Sequence, residues 1–250
     1  MIRLKNNDEI DGIRKSCRLL ADTFMKLREL IKPGIKAKQL DTFVREYIES
    51  HGGKPAFLGY MNYPASLCVS INEQVIHGIP NNRKLEEGDI VGLDLGINLN
   101  GFFSDAAITL PVGKVSEKDA LLLKVTEEAL YLGIEKAIKG NRISDISKAV
   151  FRHARSYGFG VVRQYCGHGV GIAPHEEPQI PNYPSSGPDP RLKRGMVLAI
   201  EPMINAGTWE VEILNDGWTV VTADGSKSAH FEHTIVVLDD RTEILTKMDD

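Results

Sequence analysis

The stretch Val91-Gly92-Leu93-Asp94-Leu95-Gly96-Ile97-Asn98-Leu99-Asn100-Gly101-Phe102-Phe103-Ser104-Asp105 decides how this chain is read. Asn100-Gly101 is the dipeptide that most favours a two-residue type I′ hairpin turn, and apolar residues alternate on its N-terminal side. With that turn Leu99 pairs with Phe102, Asp94 with Ala107 and Gly96 with Asp105. Asp94 and Asp105 then lie on one face as diagonal neighbours, about 7–8 Å apart at Cα. Either aspartate alone also reads as a turn or strand-end residue. Two carboxylates aimed at one point from apolar strands repel unless a cation stands between them.

Three further residues occupy equally unusual settings. His168 lies in Tyr165-Cys166-Gly167-His168-Gly169-Val170-Gly171, where glycines permit close approach of backbone to a ligand. Glu201 ends the apolar run Met196-Val197-Leu198-Ala199-Ile200 and is followed by Pro202, and Glu232 opens Glu232-His233-Thr234-Ile235-Val236-Val237. A carboxylate in such a run needs a partner, and neither glutamate has a lysine or arginine nearby in sequence. A distant salt bridge could satisfy either one, and the histidine could be a satisfied core residue. Taken together, four carboxylates and one imidazole form a hard donor set suited to two divalent ions of the manganese, iron, cobalt or zinc type.

Around this nucleus the chain nearly repeats itself. Helical spacing covers 8–31, with Asp8 as cap and Pro33-Gly34 as stop, then 37–50, 116–139 and 143–157. Strand patterns cover 66–71, 90–95, 196–204 and 231–238, and 178–190 reads as a proline-rich surface loop. Leu40, Val44, Ser50 and Gly52 match Ile146, Val150, Ser156 and Gly158 at constant offset. Leu85, Gly88, Ile90 and Asp94 match Leu192, Gly195, Val197 and Glu201 at nearly the same offset. Chance similarity among common residues is the alternative. A real repeat makes one domain over residues 1–250, with related halves at roughly 8–110 and 116–238 whose carboxylates face a shared centre.

Composition narrows the function classes. A formal net charge of -4 gives no electrostatic footprint for nucleic acid or anionic lipid. The N-terminus lacks a signal-like apolar core, and no apolar run reaches the eighteen or so residues of a membrane span. Cys17, Cys68 and Cys166 are an odd, scattered set, expected as reduced thiols of a cytoplasmic protein.

Asp94, Asp105, His168, Glu201 and Glu232, in that order, resemble the ligands of the type I methionine aminopeptidases. The flanking text agrees: Cys68-Val69-Ser70-Ile71-Asn72-Glu73, His77-Gly78-Ile79-Pro80, the His168 loop, His175-Glu176-Glu177-Pro178, Glu201-Pro202-Met203 and Phe231-Glu232-His233-Thr234. The resemblance runs from the first helix to Leu238. It implies the α/β (α+β) "pita-bread" fold, with pseudo-two-fold halves around a central antiparallel sheet. It further implies removal of the initiator methionine from nascent proteins and peptides when the second residue is small, by a metal-bridged hydroxide. Two divalent ions (cobalt, manganese, iron, zinc or nickel) would serve, with Asn72 and Ser228 resembling part of a sodium or potassium site.

By the same resemblance Glu201 doubles as general base, His175 donates to the tetrahedral intermediate and His77 contacts the substrate's peptide nitrogen or the leaving group. Phe57, Tyr60, Tyr63, Cys68 and Trp218 would wall the methionine pocket, Asp94 would anchor the free α-amino group, and a monomer docking at the ribosome is expected. Departures are Pro174 in place of a bulky aromatic, Phe103-Ser104 before Asp105, and Phe57 in place of a smaller residue. The competing readings are an X-Pro aminopeptidase on the same scaffold and a weakly active or non-catalytic binding paralogue.

Overall fold

The hairpin forms in the expected register. The strands Ile90–Leu99 and Phe102–Pro111 pair antiparallel with Asp94 opposite Ala107, Gly96 opposite Asp105 and Leu99 opposite Phe102. Both turn residues are left-handed, Asn100 at φ 54° and Gly101 at φ 86°, as a type I′ turn requires. The computed structural model describes residues 1–248. Cys68–Ile71 and Lys54–Pro55 pair with the first hairpin strand, and Glu232–Val237 pairs with the second. From there the sheet continues through Val197–Ile200 and Gly167–Gly169 to an edge strand, Glu176–Ile180. Strands from both ends of the chain thus share one nine-stranded sheet in which the pairings are antiparallel.

Helices α1 (Asn7–Arg28), α2 (Ala37–Ser50), α3 (Glu117–Lys136) and α4 (Ile143–Ser156) pack against this sheet. α2, α3, α4 and the later part of α1 share one core with Leu93, Leu95, Leu198 and Ile200, while Ile10, Ile13 and Cys17 of α1 pack with Val197, Ala199 and Val236. The cap of α1 is Asn6 rather than Asp8. Glu9 N–H donates to Asn6 Oδ1 and Asn6 N–H to Glu9 Oε2, each at 2.9 Å. A capping box needs an acid three residues beyond the cap, and the Asn6–Glu9 spacing supplies it, leaving Asp8 in the first turn. α1 stops at Arg28, short of the expected position, and Leu30 and Ile31 remain partly buried beyond it. Its stripe of Ile10, Ile13, Cys17, Leu20, Phe24 and Leu27 is buried. Replacing Phe24, 1% exposed, by alanine should destabilise the fold by about 3–5 kcal/mol in urea titrations. A loss under about 1 kcal/mol would mean that α1 is not part of the cooperative core.

Several of the positions matched in sequence take matching local structure. α2 and α4 each end on a left-handed glycine, Gly52 at φ 77° and Gly158 at φ 81°. Isolated antiparallel bridges join Lys36 to Lys84 and Arg142 to Arg191. Gly34 N–H donates to Leu85 O and Gly140 N–H to Leu192 O.

Two further expectations need correction. The strand expected over 196–204 is broken into Val197–Ile200 and Met203–Asn205, which belong to different sheets. Pro202 offers no N–H to a ladder, so pairing lapses there and Glu201 is left at the break. The loop expected from Pro178 begins instead as the strand Glu176–Ile180, because an edge strand tolerates a proline.

Candidate metal centre

Sheet register brings the donors together. Cys68 pairs with Asp94, Asp94 with Ala107 and Ala107 with Glu232, so Asp94 and Glu232 flank Ala107 in one cross-strand row. Alternation sends Leu93 and Leu95 into the helix-covered core while Asp94 faces the other way. Ser104 bonds the Ser16 hydroxyl of α1, on the face opposite Asp105. Asp105 is held at its backbone by Thr234, which accepts from Asp105 N–H at 3.1 Å and donates to Asp105 O at 2.6 Å. His168 stands opposite Ala199 on the next strand, and Glu201 follows just beyond Ile200. Asn182 steadies the Pro202 break by donating to Glu201 O at 2.9 Å.

Ligand atoms of Asp94, Asp105 and Glu232 lie within 4.8 Å of one another, as do those of His168, Glu201 and Glu232. Glu232 is common to both groups. His168 Nδ1 lies 2.9 Å from Gly169 O, which places the N–H there and turns the Nε2 lone pair toward Glu201 Oε1 at 3.4 Å and Asp105 Oδ2 at 3.9 Å. Asp94 Oδ1, Asp105 Oδ1 and Glu232 Oε1 are buried without a hydrogen-bond partner. Burial, with the Glu201 charge adding to it, pushes the Asp94 carboxyl up to about 7. Burial and neighbouring carboxylates hold Asp105 and Glu232 well above the ordinary range, and burial alone does so for Glu201. Burial pulls His168 down to about 3, keeping its ring neutral. Orphaned acid oxygens beside a neutral imidazole are the environment a divalent cation relieves, so the residues fit such an ion.

Above the donors lies a cavity of about 270 Å³ walled by Phe57, Tyr60, Tyr63, Cys68, Trp218 and Met61. All five expected wall residues are therefore at the cavity, together with His77 and His175. Gly96 makes room for Phe57: a Cβ there would sit 2.7 Å from the ring. Tyr63 meets Trp218 edge-on at 5.1 Å, and His77 meets the same indole at 6.0 Å. His77 is held left-handed at φ 57°, and burial pulls it down to about 4, so it stands neutral. His175 stacks on Tyr60, its Nδ1 3.2 Å from the phenol oxygen, and lies 4.3 Å from His168 between ring centroids.

Sequence reasoning missed two residues here. His230 is buried, with an unpartnered Nε2 3.6 Å from Glu201 Oε2; its position two residues before Glu232 was the available signal. Met61, exposed at the rim in a left-handed conformation (φ 47°), carried no periodic signal. Asn72 and Ser228 lie outside this donor set but meet each other, Ser228 N–H donating to Asn72 O at 2.9 Å. The Asn72 side chain bonds Asp89 and Ile90 N–H, and the Ser228 hydroxyl bonds Ile204 O and Asn205. Among the described residues no helix is long and apolar enough to cross a membrane.

A curved antiparallel sheet carrying a carboxylate-rich donor set beneath a substrate-sized cavity defines a metal-dependent hydrolase. The profile of Metallopeptidase family M24 matches residues 11–239. A methionine aminopeptidase of Treponema pallidum is 53% identical over 99% of this chain and 97% of its own length. One from Clostridium perfringens is 50% identical over 98% and 99%. The crystal structure of methionine aminopeptidase from Rickettsia prowazekii superposes with a TM-score of 0.96 at 40% identity, covering 99% of this chain and all of that one. The chain belongs to metallopeptidase family M24 and, within it, to the methionine aminopeptidases.

Proposed function

We propose that this aminopeptidase, which removes the initiator methionine of proteins, uses the donors described above as a two-ion centre and requires a small second residue. The carrying observation is the pairing of two donor groups through Glu232 at the floor of an aromatic cavity. Asp94, Asp105 and Glu232 would hold one divalent ion, and His168, Glu201 and Glu232 the other. When bound, such ions polarise a carbonyl and make a nucleophile available near neutral pH.

The remaining chemistry falls to the protein's own groups. Glu201 Oε2 accepts a proton as general base, and the raised proton affinity that burial confers suits that exchange. His175 donates to the oxygen on which charge develops, steadied by Tyr60. His77, neutral and aimed from its strained backbone, contacts the departing peptide nitrogen. Asp94, opposite Cys68 at the pocket floor, faces the free α-amino group and so restricts cleavage to chain ends. Phe57, Tyr63, Cys68 and Trp218 give apolar and aromatic contact to a flexible thioether.

The test is methionine release from Met-Gly-Met-Met and Met-Leu-Met-Met by protein reconstituted with manganese, cobalt or iron. Metal-dependent cleavage of the glycine peptide alone is expected. Equal cleavage of both would remove the small-second-residue rule, and cleavage without metal would remove the centre.

A further inference from the structure

The N-terminal segment reaches the catalytic loop through one buried charge. Lys5, the fifth residue of the sequence, is 3% exposed. Its Nζ donates to Glu176 Oε2 at 2.6 Å, across 171 residues of sequence. Its backbone N–H donates to Gly195 O at 2.8 Å, fastening the segment to the loop that leads into Val197–Ile200. Two glycines stand close against it, Gly195 at its backbone and Gly171 at its side chain. A Cβ on Gly195 would meet Lys5 O at 2.6 Å, and one on Gly171 would meet Lys5 Cε at 3.3 Å.

The other oxygen of the same carboxylate organises the loop. Glu176 Oε1 accepts from Ile172 N–H at 2.7 Å and Ala173 N–H at 3.1 Å. Glu176 also opens the strand that pairs with Gly167–Gly169, standing opposite Gly169, next to His168. His175 is the residue immediately before it, exposed at the cavity on a stretch, 172–175, that belongs to no strand or helix. Such a stretch has little packing of its own to define where an imidazole points. A carboxylate neutralised by a buried ammonium, with its second oxygen closed on two successive N–H groups, can define it. Burial acts to raise the Glu176 carboxyl, yet the bonds from Lys5, Ile172 and Ala173 outweigh it and hold the group below its ordinary value.

We propose that Lys5 is a positioning residue for catalysis: through Glu176 it holds the 172–175 loop so that His175 meets the reacting carbonyl. The N-terminal segment is then part of the catalytic support. The inference rests on the role given to His175 above, and a double-mutant cycle separates the two.

Turnover of Met-Gly-Met-Met is compared in the wild type, Lys5→Met, His175→Ala and the double variant, with metal content measured in each. If Lys5 acts through His175, Lys5→Met lowers kcat roughly 10–100-fold in the wild type, since misplacement by about 1 Å costs that order. In the His175→Ala background the same change has less than about a 2-fold effect. In metal-free protein, Lys5→Met also speeds amide exchange of Ile172 and Ala173 at least about tenfold. Equal fold-losses in both backgrounds overturn the inference alone. A His175→Ala variant at wild-type rate overturns the role of His175 and this inference with it. Glu176→Gln, which keeps an acceptor oxygen but removes the charge, replaces Lys5→Met in the cycle should that variant fail to fold.

Discussion

Metal-free protein should be less stable at pH 8 than at pH 6, and saturating manganese should remove the difference. The fold gathers four carboxyls whose proton affinity rises through burial: Asp94 to about 7, and Asp105, Glu201 and Glu232 well above their ordinary values. The sign follows from linkage. A carboxyl whose folded value exceeds its unfolded one binds its proton more tightly in the native state, so its favourable contribution is complete below the unfolded value. That contribution is lost as pH rises through the folded value, here around 7 for Asp94. Asp94 alone accounts for about 1 kcal/mol between pH 6 and 8, and the other three add in the same direction. His77, His168, His175, His230 and His233, whose values burial lowers, act the opposite way as pH passes the unfolded histidine value, each by less than about 1 kcal/mol. The carboxyls held well above their range outweigh them. A bound dication reverses the logic, because it holds the same groups ionised and stabilises the native state by mass action. Glu232→Gln, which neutralises the residue common to both donor groups, should raise the stability of the metal-free protein at pH 8 and weaken metal binding. Urea titrations in chelator and in manganese read all of these. Apo stability that stays level or climbs from pH 6 to 8 would mean that the carboxyls are not charge-frustrated without metal.

Glu201→Gln should lower kcat on Met-Gly-Met-Met by about a thousandfold with KM little changed, the loss expected of a general base. The amide preserves shape and the backbone bond from Asn182, so the Pro202 break and the pocket walls stay as they are. The proton-accepting oxygen beside His230 is what goes. Metal content must be measured alongside, since Glu201 also stands among the donors. Retained metal with a loss below about tenfold would move the base to another group, and His230, buried 3.6 Å away, would be the first to examine.

The hairpin was legible because its instructions are local. Asn100-Gly101 selects the turn, the turn selects the register, and the register places Asp94 and Asp105 on one face. The α2 and α4 helices were legible for the same reason, since periodicity and a terminal glycine lie within a few residues of one another. Errors arose where distant structure overrode local pattern. The run 196–204 reads as one strand, yet its two parts join different sheets, one beside Gly167–Gly169 and the other beside Ser228–His230. Pro178 reads as a loop residue, and only its place on a sheet edge makes it a strand residue.

That five hard donors sit in places apolar strands do not spare for solvated charges and, by resemblance, what such a set does can be read along the chain alone. The place of Glu232 in two donor groups, of His230 behind Glu201 and of Lys5 as a buried partner of Glu176 comes from the folded chain as a whole. The reason is range. Turns, caps and face alternation follow from residues within hydrogen-bond reach along the chain, whereas these meetings depend on sheet pairings and packing that close over most of its length. Nothing near Lys5 in the sequence marks it for burial; its partner Glu176 lies 171 residues away.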